Sequence, residues 1–309
     1  MLGNGGSTTF WDVATLGLVR DRAQHLVLGE FSAKFAQATA AAPFLAEPHV
    51  VRSEPGTRPD PVADPDVDVH AWPHNETSTG VVLPVQRVAG TAAPDDGGPL
   101  VLVDATSAAA GVDVDLAQCD AYYLAPQKGF ASDGGLWFAL LSPAAIERAR
   151  EPGGSGRWVP ESLSLTTAID NSRLDQTYNT PAIATLLMMA AQARLAAGQR
   201  RPVVGRRAHR RLGVAAVRLG RPQRLRHAVR RRPDAPLTRR RHHRPRRLDR
   251  RRRGREAPAA QRDRRHRALP QGSAATSLRV GMFPAVDPSD VEALTACVDH
   301  VVAHLPRRR

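Results

Sequence analysis

Only two lysines occur in this 309-residue chain, and one of them, Lys128, has a setting that suits covalent chemistry. It follows the apolar run Ala121–Leu124 and precedes Gly129, so we expect it in a loop at the end of a buried strand. Partial desolvation there favours the neutral amine, which can attack a carbonyl carbon. An ordinary lysine in a surface loop is the alternative interpretation.

A carboxylate, Asp104, ends a second apolar run, Leu100–Val103. In α/β folds the carboxyl ends of parallel strands are where ligands bind, although Asp104 could instead cap a following helix. A lysine and an acid at adjacent strand ends suit a pyridoxal cofactor. The lysine holds the cofactor covalently, and the acid keeps the ring nitrogen protonated so that the ring accepts electrons. The order of Asp104 and Lys128 therefore indicates pyridoxal chemistry.

An anion-binding loop is predicted near the start of the chain. The glycine-rich stretch Gly3–Gly6 precedes Ser7 and Thr8, where the helical pattern Thr8–Arg20 begins. Glycines let backbone amides approach an anion closely, and a helix N-terminus offers unpaired N–H groups. Nucleotide-binding loops fit poorly, because no lysine follows the glycines and the dinucleotide glycine spacing is absent. A plain glycine turn with a Ser or Thr cap is the alternative.

Alternating apolar runs and helical patterns predict an α/β domain over residues 1–199. Runs bounded by Gly, Pro and Asp are predicted to be buried strands, namely Val81–Leu83, Leu100–Val103, Ala121–Leu124 and Leu136–Leu141. Helical patterns cover Thr8–Arg20, Glu30–Ala42 and Thr180–Ala197. This alternation predicts a mostly parallel central sheet covered on both faces.

The basic charge of the chain is confined to one segment. Residues 200–270 hold 28 arginines, no lysine and four acids, a formal charge of +24, whereas the rest of the chain carries −10 of the total +14. We assign residues 200–277 to an aberrant or disordered segment. Translation out of frame from GC-rich DNA is the interpretation we favour; a disordered RNA-binding tail and a solvated insertion are the alternatives.

An ordinary pattern resumes over residues 278–305. Leu278–Pro284 is predicted to be a strand, and a helix follows with Asp287 or Ser289 as its cap. We interpret this stretch as the strand-helix remnant of a small α+β domain, followed by a basic tail at 306–309.

Several function classes are excluded by simple patterns. Cys119 and Cys297 lie in apolar surroundings and are predicted to be buried, reduced thiols, which excludes a disulfide scaffold. No signal peptide is recognisable, and the longest apolar stretch, Ala182–Ala191, is too short to cross a bilayer. We therefore expect a cytoplasmic protein that does not span a membrane. No metal site is predicted.

Five stretches resemble the phosphoserine aminotransferases, in particular their actinobacterial form. They are GNGGSTTFWD (3–12), HNETSTG (74–80), DAYYLAPQKGFASDGGLW (120–137), QTYNTPAIATL (176–186) and LRVGMFPAVDPSDVEALT (278–295). The resemblance implies a class-V, fold-type I aminotransferase that binds pyridoxal 5′-phosphate and works as a homodimer. It also implies amino transfer between L-glutamate and 3-phosphohydroxypyruvate in serine synthesis and, in some bacteria, a part in pyridoxine synthesis.

The same resemblance implies roles for individual residues. Lys128 matches the Schiff-base lysine, and Asp104 matches the partner of the pyridinium nitrogen. Further positions match contacts to the cofactor or the substrate: Ser7, Thr8 and Gln127 at the phosphate, Phe31 stacked on the ring, Thr77 at the ring hydroxyl, Asn179 and Thr180 at the phosphate in the partner subunit, and Arg279 at the substrate α-carboxylate. Phe31 could instead be a helix core residue, and Arg279 a solvent-facing charge at a strand edge.

The chain departs from the family pattern in three places. It begins inside the glycine loop, so the family's His-Arg stretch, which binds the distal acid of the substrate, is expected to be missing. Residues 200–277 stand in place of much of the small domain, and Gly129 stands where the family usually has Asn. Two alternatives therefore stay open, an inactive truncated or frameshifted product and a protein whose arginine-rich segment binds RNA.

Overall fold

The computed structural model describes residues 1–198 and 286–304. Residues 199–285 and 305–309 lie outside this description, and with them Arg279, the predicted strand Leu278–Pro284 and the arginine-rich segment. Within the described ranges, no helix is both long enough and apolar enough to cross a bilayer.

A central seven-stranded sheet organises the described residues. The strands of the chain are β1 Leu2–Asn4, β2 Ala23–Val27, β3 His49–Arg52, β4 Val69–Pro73, β5 Asn75–Glu76, β6 Val81–Val82, β7 Leu100–Asp104, β8 Ala121–Leu124 and β9 Leu136–Leu141. The spatial order in the sheet is β1-β9-β8-β7-β4-β2-β3. All pairs from β8 to β3 are parallel, whereas β9 is antiparallel to both β8 and β1. The prediction of a mostly parallel sheet is confirmed.

Six α-helices accompany the sheet in the described ranges. They are α1 Ser7–Gly17, α2 Glu30–Ala40, α3 Pro143–Arg148, α4 Leu165–Arg173, α5 Ile183–Gly198 and a C-terminal helix, Pro288–His304. The predicted helices Thr8–Arg20, Glu30–Ala42 and Thr180–Ala197 are present as α1, α2 and α5, and each is two residues shorter than predicted. At the C-terminal helix, a carboxylate oxygen of Asp287 accepts the backbone N–H of Ser289 at 2.9 Å, so Asp287 is the cap.

The two faces of the sheet are covered differently. On one face α1 packs an aromatic cluster, with the ring centroid of Phe10 4.4 Å from that of Tyr123 and 5.0 Å from that of Trp137. On the other face the apolar side chains of β7 and β8 are covered mainly by loop residues such as Leu83 and Val88, with Met189 of α5 beside them. Both faces are buried, as predicted, but only one of them by several helices.

Two central strands, β2 and β4, were missed by the sequence prediction because polar residues interrupt their apolar pattern. Gln24 and His25 lie in β2, and His70 lies in β4; all three are buried. The amide of Gln24 donates to the carbonyl of Val62 at 2.8 Å, and Nε2 of His25 lies 3.0 Å from the hydroxyl of Thr39. Tertiary contacts thus satisfy the side chains of Gln24 and His25, whereas His70 is buried without a hydrogen-bond partner among the described residues.

Two sequence predictions are wrong. The run Val81–Leu83 does not form a buried strand of the main sheet, because β6 pairs only with β5 in a two-stranded hairpin and Val82 is 48% exposed. Cys297 is exposed on the C-terminal helix rather than buried. The helix presents that position to solvent in the described part of the chain. The prediction for Cys119, which is buried, is confirmed.

Three buried histidines predict a loss of stability in mild acid. Burial lowers the pKa of His25 to about 3 and those of His70 and His74 to about 4. The unfolded chain takes up these protons near pH 6.5, so stability is lost as the pH falls from about 6.5 towards 4 and is full above that window. We expect the urea-derived free energy of unfolding to fall by about 2 kcal/mol per histidine between pH 7 and pH 5.

Replacement of single histidines tests this dependence. His70→Leu should remove about one third of the loss, because it removes one of the three titrating rings. The substitution breaks no ring hydrogen bond, since neither ring nitrogen of His70 has a partner among the described residues. His300→Gln, at an exposed position, serves as the control and should leave the slope unchanged. An unfolding free energy that stays constant from pH 7 to pH 5 in the unmodified chain would contradict the expectation.

Candidate active site

Asp104 lies at the carboxyl end of β7 and is held by two hydrogen-bond donors. The indole Nε1 of Trp11 donates to one carboxylate oxygen at 2.9 Å, and the backbone N–H of Thr106 donates to the other at 2.9 Å. Burial raises the pKa of Asp104, and the hydrogen bonds from Thr106 and Trp11 oppose that rise because they favour the charged form. The site therefore presents a carboxylate whose two oxygens are both oriented.

The glycine loop between β1 and α1 has the geometry of an anion cradle. Gly5 has a left-handed backbone with φ +102°, and a Cβ atom there would lie 2.2 Å from the hydroxyl of Thr9. The N-cap of α1 is Gly6, which has no side chain that could bond to the N–H groups of the first turn. The first N–H groups of α1 are therefore available to an anion at the positive end of the helix dipole.

Thr106 connects this cradle to Asp104. Its hydroxyl donates to the hydroxyl of Ser7 at 2.5 Å, while its backbone N–H bonds to Asp104. Ser7 is buried and Thr8 is exposed, both in the first turn of α1. A single residue thus bridges the predicted phosphate position and the predicted ring-nitrogen acid.

Phe31 and Thr77 approach the same region from two other segments. Phe31 is 39% exposed and lines a small cavity together with Pro73 and Asp104, so it is not a helix core residue. The hydroxyl of Thr77 donates to that of Ser107 at 3.0 Å, which places Thr77 beside the turn that follows Asp104. The structure therefore brings both positions to the edge of the sheet where Asp104 lies.

Lys128 belongs to the loop that follows β8, the parallel neighbour of β7. Tyr123 of β8 is the register partner of Asp104, so the two loops leave the sheet at the same edge. The side chain of Lys128 is partly exposed, and Gln127 beside it is exposed. This is the placement at adjacent strand ends that the sequence indicates, and the roles of Lys128 and Gln127 stay predictions.

Close packing shapes the backbone on both sides of Lys128. A Cβ atom at Gly129 would lie 2.1 Å from the carbonyl oxygen of Ala109, so glycine is required for this approach of the two loops. Ala110 and Ala131 both have left-handed backbones, with φ of 64° and 49°. Alanine in this region costs on the order of 1 kcal/mol or more, and such strain persists where the surroundings enforce it.

Asn179 and Thr180 lie beside the glycine loop of their own chain. Their backbone oxygens are 3.5 and 3.4 Å from the side-chain amide of Asn4, which donates to both. Both residues are exposed. Their contact with a partner subunit's cofactor stays a prediction. Arg279, the predicted substrate residue, lies outside the described residues.

Sequence reasoning missed residues that support the predicted ones. Trp11 lies four residues after Ser7, so both share one face of α1, and this spacing could have identified it. Thr106 follows Asp104 by two residues, the spacing at which an Asp side chain accepts a nearby backbone N–H.

His74 was also missed, and it supports the same edge of the sheet. Its backbone N–H donates to the carbonyl of Asp104 at 2.9 Å, and its Nδ1 lies 3.2 Å from the hydroxyl of Tyr122. Burial lowers the pKa of His74 to about 4, so the ring is neutral at pH 7. No local sequence signal distinguishes it from an ordinary buried histidine.

The assembled groups fit pyridoxal phosphate in their chemistry. An oriented carboxylate suits a protonated pyridine nitrogen, and hydroxyls with helix N–H groups suit a phosphate. An aromatic ring at the cavity edge suits a stacked heterocycle, and a lysine lies on the adjacent loop. In the described part of the chain, no cluster of three His, Cys, Asp or Glu side chains could hold a metal ion.

Comparison with known sequences finds relatives among the aminotransferases. Residues 60–227 match the family described as aminotransferase class-V. A phosphoserine aminotransferase of Nocardioides sp. is 48% identical over 340 residues, which cover 99% of this chain and 80% of the relative. A putative phosphoserine aminotransferase of Mycobacterium sp. is 59% identical over 192 residues, or 62% of this chain, and the match spans only 50% of that relative.

Solved structures share the fold at low sequence identity. A phosphoserine aminotransferase from Cytophaga hutchinsonii superimposes with a TM-score of 0.63 at 18% identity, over 72% of this chain and 62% of that one. A pyridoxal-phosphate-bound phosphoserine aminotransferase from Trichomonas vaginalis gives 0.50 at 15% identity, over 74% and 59% of the two chains. These likenesses confirm the predicted fold type.

Proposed function

Because the chain belongs to the class-V aminotransferases and has phosphoserine aminotransferases as relatives, we propose that it transfers an amino group from L-glutamate to 3-phosphohydroxypyruvate. The products are 2-oxoglutarate and phosphoserine, the precursor of serine. One observation carries the proposal: Asp104 accepts from Trp11 and Thr106, and Thr106 in turn bonds to Ser7 at the anion cradle of α1.

We assign the residues that hold pyridoxal 5′-phosphate by matching chemistry to position. Ser7, Thr8 and the first N–H groups of α1 would bind the phosphate, with Gln127 as a further contact. Phe31 would pack on the ring, and Thr77 would bond to the ring hydroxyl. Lys128 would hold the cofactor covalently. When bound, the cofactor supplies a carbonyl carbon that joins to amines and a ring that accepts electron density.

Two groups of the protein act on protons in this proposal. Asp104 would pair its carboxylate with the ring nitrogen of the bound cofactor and favour the protonated form of that nitrogen. The amine of Lys128 would serve as the base that takes the proton from the substrate α-carbon and as the acid that gives a proton back. Burial raises the pKa of Asp104, and the donors Thr106 and Trp11 oppose that rise because they favour the charged form.

Substrate recognition and assembly extend the proposal beyond the described residues. Arg279 would grip the substrate α-carboxylate with two parallel hydrogen bonds. Asn179 and Thr180 would reach the phosphate in a partner subunit, so the active form would be a homodimer. The proposed location of this homodimer is the cytoplasm. Their exposed positions leave both side chains accessible to a second copy.

An assay of the full chain with pyridoxal phosphate tests this function. We expect 2-oxoglutarate to form continuously only when L-glutamate and 3-phosphohydroxypyruvate are both present, and L-glutamate alone to give at most one equivalent per chain. No more than one equivalent of 2-oxoglutarate with both substrates present, together with continuous turnover when pyruvate is the acceptor, would contradict the assigned substrate. Absence of any 2-oxoglutarate, with cofactor bound, would indicate the inactive product instead.

A further inference from the structure

Glu76 is a fully buried carboxylate that no part of the proposed mechanism uses. One of its oxygens accepts the N–H of Ser32 at 2.9 Å and the hydroxyl of Ser32 at 2.8 Å. The other accepts the N–H of Ser78 at 3.1 Å and the hydroxyl of Ser78 at 2.6 Å. Within residues 1–198 and 286–304, no lysine, arginine or histidine forms an ion pair with it.

Hydrogen bonds and the N-terminus of α2 take the place of a cation. Four donors to two oxygens stabilise the charged form, and the positive end of the helix dipole adds to them. The fit is close, because a Cβ atom at Gly29, the N-cap of α2, would lie 2.5 Å from Cγ of Glu76 and 2.2 Å from the hydroxyl of Ser78. Only glycine at position 29 allows α2 to begin against this carboxylate.

The residues held by Glu76 are the immediate neighbours of two cofactor contacts. Ser32 follows Phe31 in the first turn of α2, and Thr77 lies between Glu76 and Ser78. The hydroxyl of Ser78 also accepts the N–H of Glu30 at 2.9 Å, which ties the two segments directly. One buried charge therefore fixes the segment that carries the stacking ring and the segment that carries the hydroxyl-binding side chain.

We propose that Glu76 is a positioning residue that holds Phe31 and Thr77 in fixed positions relative to each other at the cofactor site. The inference rests on the proposed function, since the roles of Phe31 and Thr77 belong to it. The placement itself is a property of the protein alone. Loss of the carboxylate should loosen both segments together, while the cradle of α1 and the surroundings of Asp104 stay in place.

Glu76→Gln tests this proposal, because the amide keeps the shape but turns one acceptor into a donor. We expect the Kd for pyridoxal phosphate to rise about 10- to 100-fold, the ratio for losing a charge-assisted hydrogen bond. Amide hydrogen exchange in the cofactor-free protein should rise at residues 29–33 and 76–79 and not in β7 or β8. Glu30→Gln is the matched control, since Glu30 is in the same turn but is exposed and pairs with Lys34.

The outcomes separate this inference from the proposed function. If the unmodified chain fails to bind pyridoxal phosphate, the proposed function is wrong, and the exchange data still decide the positioning role. Unchanged exchange at both segments, or a Kd equal to that of the unmodified chain, overturns the inference. Should Glu76→Gln not fold, Ser78→Ala removes one donor and keeps the carboxylate. It should raise Kd about tenfold with the same local exchange, and no change there also overturns the inference.

Discussion

Replacing Lys128 with alanine is expected to abolish covalent cofactor attachment and to lower kcat at least about 1,000-fold, since the same amine binds the cofactor and moves the proton. Binding of pyridoxal phosphate itself should persist in weakened form, because Ser7, Thr106 and Asp104 do not depend on the lysine. Steady-state kinetics and the absorbance of the bound cofactor give the two quantities. The free energy of unfolding should change little, as the side chain is partly exposed.

Lys34 provides the matched control for this substitution. It is the only other lysine of the chain, lies on α2 and pairs with Glu30 at 2.9 Å on the surface. Lys34→Ala should leave both kcat and the cofactor absorbance unchanged. If Lys128→Ala retains kcat within tenfold of the unmodified chain, the catalytic assignment is wrong.

Replacing Asp104 with asparagine should produce the second largest effect. The neutral amide cannot hold a proton on the ring nitrogen, so the ring loses its capacity to accept electrons. We expect kcat to fall about 100- to 1,000-fold, a loss of the size seen when one preorganised electrostatic contact to a transition state is removed. Covalent attachment to Lys128 should survive, which separates this defect from the first.

The hydrogen bonds to Asp104 sharpen that expectation. Burial raises the pKa of Asp104, and Trp11 counters the rise, so Trp11→Phe should weaken catalysis most at low pH, where Asp104 takes up a proton. Asp12→Asn, at an exposed acid in the next position of α1, is the control. A kcat for Asp104→Asn that matches the unmodified chain at all pH values would remove Asp104 from the mechanism.

The sequence predicted the parts of the site that depend on local order along the chain. Gly5 and Gly6 before α1 and the strand-end position of Asp104 follow from residue type and neighbourhood alone. The strands β7, β8 and β9 were predicted because their apolar runs are uninterrupted. The sheet order that brings β7 beside β8 depends on contacts between segments far apart in sequence, and no local pattern contains it.

The supporting residues were missed for the same reason. Trp11 and Asp104 are 93 positions apart, and Ser32 and Glu76 are 44 apart, so their hydrogen bonds exist only in the folded sheet. The strands β2 and β4 were not predicted because Gln24, His25 and His70 are polar residue types that usually lie at the surface. The opposite error occurred at Val82, which was predicted to be buried but is exposed, since a β-branched apolar residue in a hairpin can remain at the surface.

The most direct test of the cofactor site is borohydride reduction of the full chain with pyridoxal phosphate, followed by peptide mass spectrometry. Reduction makes the bond between the cofactor and its lysine permanent, so the modified residue can be identified. The predicted result is a single adduct, on Lys128. An adduct on Lys34 or on the amino group of Met1, or no adduct at all, would contradict the account.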